Sequence, residues 1–200
     1  DAQGRYLYSV HILEDITENK QAQEALHRKN RALRALSDAG LAVVQSPGET
    51  ELMERICRIA VEVSGYSMAW AGLADPDGPK RVRPVAQYGL HGDYLEEIQV
   101  TWADEPLGRG PTGKAIRCGS PVVARDLLQQ PDYEPWRESA LRHGFASSIG
   151  LPLMGGQSCL GALTIYASQA DAFDDEEVGL LGELSQILAL GIIALRDRRE

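Results

Sequence analysis

Residues 147–154 and 157–167 are two runs rich in Leu, Ile, Gly and small residues, joined by Gly155-Gly156. A two-residue glycine link between such runs is a strong β-hairpin signal. Apolar side chains occupy both alternating sets, so the hairpin reads as strands buried on both faces at the centre of a sheet. A sheet covered on both faces needs a layer of structure on each side, which constrains everything else in the chain.

The remaining strands read as short and antiparallel. Ser67–Ala74 is a strand apolar on both faces, Asp75-Pro-Asp-Gly-Pro79 a hairpin loop, and Arg81–Gly89 a second strand. Pro84 cannot donate to a ladder, so that strand lies at an edge or carries a bulge. Pro121–Ala124 adds a short strand, and the alternation from Tyr6 to Leu13 another.

Helical periodicity brackets these strands. From Glu18 to Gln45, Leu26 and Leu33 form one heptad seam and Lys29, Leu36 and Val43 a second. Ser46-Pro47-Gly48 breaks the helix, and another runs from Glu49 to Gly65 with Leu52, Ile56, Ile59, Ala60 and Val63 on one face. Phe173-Asp-Asp-Glu-Glu177 places carboxylates at the positive end of a final helix, where Leu181, Leu184, Leu188, Gly191 and Leu195 keep a heptad spacing. Short helices are expected at 93–100 and 134–143. The fold class is α+β: a central antiparallel sheet, long N- and C-terminal helices packed on one side, and an irregular helical and loop insert over the other.

Leu107–Arg125 imitates a phosphate loop. Gly108, Gly113 and Lys114 fit G-x-x-x-x-G-K-[ST] up to Ala115, which lacks the hydroxyl that holds Mg²⁺. No buried strand precedes Gly108, and Gly119 stops the following helix after two turns. The stretch reads as a glycine-rich loop and a short helix.

Composition limits the partners. Twenty basic and 29 acidic side chains give a net charge of −9, which speaks against nucleic acid and anionic lipid. Three cysteines without C-x-x-C spacing fit a reducing, cytoplasmic compartment. No apolar run approaches 18 residues, so no membrane insertion is expected. The chain opens on Asp1 and reads as an internal piece of something longer.

Two resemblances add to this reading. The glycine turn, the Tyr-rich strand and Asp15-Ile-Thr17 followed by Glu-Asn-Lys resemble the C-terminal end of a PAS domain passing into its linker helix. Gly110-Pro-Thr-Gly-Lys-Ala-Ile-Arg-Cys-Gly-Ser-Pro-Val-Val123, Ser147-Ser-Ile-Gly-Leu-Pro-Leu153, Leu160-Gly-Ala-Leu-Thr-Ile-Tyr-Ala167 and Ala172-Phe-Asp-Asp-Glu-Glu177 resemble a GAF domain over about residues 30–195. The implied organisation is a PAS strand remnant at 1–17, a linker helix at 18–45, and a GAF domain with a C-terminal output-coupling helix at 46–200.

The resemblance implies a sensor module of bacterial signalling proteins, which include two-component histidine kinases and diguanylate cyclases. It binds an unknown small molecule, dimerises through helices 18–45 and 176–198 as a coiled coil or bundle, or does both. Cyclic-nucleotide members carry an Asn-Lys pair absent before Phe173. Bilin attachment uses Cys-His, whereas Gly119 follows Cys118. Haem members use a pocket His, but His143-Gly144 reads as a helix cap. No cofactor is assigned.

The pocket is expected between the sheet and the insert of residues 90–146. Trp70, Tyr88, Trp102 and Trp136 supply flat apolar area there, and Arg109 a charge for an anionic ligand. No catalytic or metal-ligating set is read, and the chain itself is expected not to be an enzyme. The alternatives are a ligand-free dimeriser and a thiol enzyme like the free methionine sulfoxide reductases, which share the fold. Against the latter, Cys118 at a helix C-terminus meets the wrong end of the dipole for activation.

Overall fold

The computed structural model describes residues 17–75, 77–89 and 94–198. The strand expected at Tyr6–Leu13 and the cap at Asp15–Thr17 fall largely outside this range. Helix α1 runs Thr17–Gln45 and α2 Glu49–Glu62. Strand β1 (Met68–Ala74) and β2 (Val82–Gly89) form a hairpin. The insert then supplies α3 (Tyr94–Glu97), α4 (Pro111–Cys118), β3 (Val122–Ala124) and α5 (Arg137–Arg142), with 3₁₀ turns at Pro106–Gly108 and Pro131–Trp136. The central hairpin β4 (Ser147–Gly155) and β5 (Ser158–Ala167) follows, and α6 (Asp175–Asp197) closes the chain.

The five strands are antiparallel in the order β2-β1-β5-β4-β3, with the β4–β5 hairpin central. The turn is displaced by one residue from the expected link: Gly155 pairs with Ser158, and Gly156 bends the chain at φ +66°. β2 is an edge strand. It carries the bulge that Pro84 announced, because Ala71 pairs with Ala86 while Gly72 pairs with Pro84, leaving Val85 as the extra residue.

One face of the sheet is aliphatic. Ile149, Leu151 and Leu153 of β4 and Leu163 and Ile165 of β5 are fully buried against α2 and α6. Each such side chain contributes roughly 1.5–3 kcal/mol through removal from water. Helix α6 meets them with Leu181, Leu184, Leu188, Ile192 and Leu195. Its first turn is capped by Asp174, whose carboxylate accepts from Glu177 N at 2.9 Å. Helix α1 lies on α2 and α6 through Ala35, Ala39 and Ala42, small residues that permit close approach. At Gly191 the contact is tightest, since an added Cβ would meet Val43 Cγ2 at 2.9 Å.

The expectation that no apolar run approaches 18 residues is corrected by α6. Between Val178 and Leu195 only Glu183 is charged, and the helix is long and apolar enough by length and composition to cross a membrane. Its buried leucines are spent on the sheet and the neighbouring helices.

The opposite face carries small and polar residues at its centre. Ser148, Gly150 and Pro152 alternate with the β4 aliphatics, and Ala162, Thr164 and Tyr166 with those of β5. The insert lies over this face.

Candidate functional site

The insert is anchored where the sheet is smallest. Gly110 precedes α4, Pro111 opens it, and Gly119 ends it in the left-handed conformation at φ +65°. The first turn of α4 rests directly on β4: a Cβ at Gly150 would sit 2.5 Å from Pro111 C. Thr112 and Thr164 are joined hydroxyl to hydroxyl at 2.8 Å across this contact. The loop before α4 is gathered by Arg117, whose guanidinium donates to the carbonyls of Trp102, Ala103 and Gly108 at 3.1, 2.9 and 2.7 Å. Lys114, the phosphate-loop lysine in the motif, is paired with Asp132 at 2.6 Å. That hydrogen bond and charge hold the Asp132 carboxyl below its usual range.

Beside the threonines lies a buried tyrosine cluster. Tyr94 of α3, Tyr133 of the second 3₁₀ turn and Tyr166 of β5 meet through their hydroxyls, Tyr94 to Tyr133 at 3.1 Å and Tyr94 to Tyr166 at 3.4 Å. Burial is the main cause raising all three phenols above their ordinary range. Phe145 stacks on Tyr166 with centroids 4.6 Å apart. Two polar atoms here are buried without a hydrogen-bond partner, Trp70 Nε1 and Ser148 Oγ. A partly open cavity of about 10 Å³ is lined by Ile98, Val100, Gly110, Pro111, Thr112, Tyr133, Trp136, Ser148, Thr164 and Tyr166. It has room for one water molecule.

An outer groove of about 250 Å³ adjoins it, lined by Trp70, Arg81, Val82, Pro84, Leu95 and residues 98–101. Ile98 and Val100 belong to both walls. The segment that carries them is tied by Val82 N donating to Val100 O at 3.0 Å and by Trp136 Nε1 donating to Gln99 O at 3.0 Å.

The residues singled out in the sequence divide. Trp136 borders the cavity and Trp70 lies at the base of the adjoining groove. Trp102 is turned away, its Nε1 donating to Asp75 O at 3.1 Å and its ring 4.8 Å from Lys80 Nζ. Arg109 pairs with Asp104 at 3.3 Å at the rim. Tyr88 lies on the helix side of the sheet, where its hydroxyl donates to Glu62 and Arg58 covers its ring. Tyr94, Thr112, Tyr133, Ser148, Thr164 and Tyr166 were not singled out. The alternation of small and polar residues with aliphatics along β4 and β5 was the signal for three of them.

None of the three thiols lines the cavity. Cys57 of α2 is buried on the helix side, and desolvation pushes its thiol well up. Burial also raises Cys159, while Cys118 is exposed with Sγ 3.1 Å from Ser120 Oγ. His143 sits at the C-terminal cap of α5, Nδ1 2.8 Å from Ser139 O. Among the described residues no group of three His, Cys, Asp or Glu side chains is placed to hold a metal ion.

A search of curated proteins finds no match for the chain. The family model described as GAF domain matches residues 46–192. The chain belongs to the GAF family. Solved structures agree with the fold. The free methionine-R-sulfoxide reductase of Neisseria meningitidis, solved with its substrate, is 21% identical, covers 96% of this chain and 99% of its own, and superposes with a TM-score of 0.70. The GAF domain of a Coxiella burnetii phosphoenolpyruvate-protein phosphotransferase is 18% identical over 84% of this chain and 96% of its own, with a TM-score of 0.68. The corresponding Acinetobacter domain is 14% identical over the same shares, at 0.66.

These neighbours overturn the expectation that the chain is not an enzyme. GAF structures similar to it include reductases as well as domains of phosphotransferases, so the fold gives no ground for setting catalysis aside. At these identities the likeness concerns the fold.

Proposed function

We propose that this GAF domain is a regulatory sensor module of a bacterial signal-transduction protein, taking a small ligand between its sheet and insert. The observation that carries this is the placement of the cavity. Thr112 of α4 borders it together with Ser148, Thr164 and Tyr166, which lie on strands whose other residues, Ile149, Leu163 and Ile165, press on α6. A molecule that spreads the insert from β4 and β5 therefore acts on the strands that seat the C-terminal helix. α1 and α6 are packed together, so a displacement of one reaches the other. In this reading, residues 1–17 end a preceding PAS domain, 18–45 link it to the GAF domain, and α6 leads to an output domain.

The same module is proposed to form a homodimer through α1 and α6. The face of α1 opposite its buried alanines carries Leu26, Leu33, Leu41 and Val44, exposed by 60, 66, 54 and 75%. Leu190 of α6 is exposed by 64%. Such a stripe on a helix is an interface in want of a partner. Sedimentation of the whole chain tests it: a dimer is expected, and Leu33→Glu should shift it to monomer. A wild-type monomer at high concentration would contradict the dimer.

Ligand sensing is tested by native mass spectrometry of the chain incubated with a metabolite extract. A retained small molecule that raises the unfolding temperature supports it. No retained molecule under any condition contradicts it.

A further inference from the structure

Several donors around the cavity and its adjoining groove have no acceptor at hydrogen-bond distance. Tyr94 donates its single proton to Tyr166. Its contact with Tyr133 at 3.1 Å must then have Tyr133 as donor. The chain of protons runs Tyr133 to Tyr94 to Tyr166, and although Tyr133 also lies beside Tyr166, no described residue meets hydrogen-bond geometry as acceptor of the Tyr166 proton. Trp70 Nε1, a donor only, is fully buried beside the Tyr166 hydroxyl, but the approach falls short of hydrogen-bond geometry. Ser148 Oγ is buried beside the Tyr133 hydroxyl, likewise without hydrogen-bond geometry. One proton of the Thr112–Thr164 pair is also left over, since each hydroxyl has one and their bond uses one. A buried donor left without an acceptor costs about 1–3 kcal/mol, so Ser148, Tyr166 and the threonine pair at the cavity and Trp70 at the adjoining groove point to a missing acceptor.

The lining also decides charge. Among the described residues no Asp, Glu, Lys, Arg or His is part of the cavity wall. The adjoining groove carries a charge, Arg81, which is exposed to water; Lys114 and Asp132 line the next depression and neutralise each other, while Arg109 is held by Asp104. An anion inside would lose its water without gaining a countercharge, and a cation would find no carboxylate.

Resting on the ligand-binding reading above, we infer that the ligand is a small uncharged molecule bearing a hydrogen-bond acceptor, a neutral amide or other carbonyl compound, held by Trp70, Tyr166 and Ser148. It enters from the outer groove. The present cavity admits one water, and a larger molecule displaces Ile98 and Val100, which joins cavity and groove into one pocket. Because Trp136 Nε1 is bonded to Gln99 O, that displacement reports on the Trp136 indole.

Calorimetric titration of the whole chain at neutral pH with two matched pairs, benzamide against benzoate and acetamide against acetate, tests the inference. At least one amide is expected to bind saturably, and its carboxylate to bind at least about tenfold more weakly. Tyr166→Phe should weaken the amide about fivefold, the size of one neutral hydrogen bond, and Ser148→Ala by up to the same factor. Trp102→Phe, outside the cavity, should leave the affinity unchanged. Should Tyr166→Phe fail to fold, the Trp70 indole resonance of the wild-type chain serves instead, and it should move with the amide and not with the carboxylate. Equal or tighter carboxylate binding, absence of amide binding, or amide affinity indifferent to both variants each overturns the inference. Carboxylate binding that Tyr166→Phe weakens would do so while leaving the sensor reading intact. A metabolite extract from which nothing is retained would remove the sensor reading itself.

Discussion

The two faces of the same five strands are built to different rules. On the helix side Ile149, Leu151, Leu153, Leu163 and Ile165 meet leucines of α6 in a dry contact of aliphatic side chains. On the insert side the intervening positions are Ser148, Gly150, Pro152, Ala162, Thr164 and Tyr166, with two polar atoms left without partners. Hydrophobic burial is non-directional and holds whatever fills the space, so the first face suits a permanent scaffold. Unmet hydrogen bonds are directional and make room for something else, so the second suits a site.

Variants that break this contrast differ in size. Leu163→Ala on the scaffold face should lose about 2–5 kcal/mol of stability in denaturant unfolding, the usual range for an emptied core position. A loss below 1 kcal/mol would mean that face is loosely packed. Gly150→Ala is expected to cost about 1–3 kcal/mol, because the new Cβ lies 2.5 Å from the backbone of Pro111 and α4 must move. Free accommodation of the methyl would show that the insert is not seated on β4.

A third effect is in alkaline pH. Tyr94, Tyr133 and Tyr166 have folded phenol values raised above the ordinary value of about 10, chiefly by burial. Below pH 10 both folded and unfolded chains hold these protons, and stability does not depend on them. Above it the unfolded chain releases protons that the folded chain retains, so stability falls as pH rises. Phenolate absorbance from Tyr94, Tyr133 and Tyr166 should therefore appear only with unfolding, as should that of Tyr66, which burial and Glu177 also raise. Ionisation of Tyr94, Tyr133 and Tyr166 in the still-folded chain would contradict the buried cluster. Smallest is Ser148→Ala, which should raise stability by up to about 1 kcal/mol, since the hydroxyl removed is buried without a partner. A loss near 2 kcal/mol would show that it is bonded after all.

Much of the scaffold was legible because its signals are local. Gly48, Asp174 and Gly119 mark helix ends, Gly155-Gly156 locates the central hairpin to within one residue, and the leucine spacing of α6 gives its buried side. The site was less so, for physical reasons. Tyr94 and Tyr133 lie in short irregular elements without periodicity, 39 residues apart, and only the folded insert brings their hydroxyls together. Trp102 and Arg109 were chosen for side-chain type, yet local partners, Asp75 O and Asp104, hold them elsewhere.

Tyr88 is the most instructive case. Without interruption, even-numbered residues of β2 would share one face, and Tyr88 would follow Val82 and Pro84 towards the insert. The bulge at Val85 shifts the alternation by one and sends Tyr88 to the helix side. Pro84 disclosed the irregularity; its consequence four residues on had to be followed through the pleat.

The division between scaffold and site is tested most directly by the three indole N–H resonances and the leucine methyl resonances of the labelled chain during a benzamide titration. The Trp70 and Trp136 indoles should shift while Trp102 and the methyls of Leu151 and Leu163 stay in place. Shifts of equal size on both faces, or a Trp70 indole that never moves, would contradict a ligand site confined to the insert side.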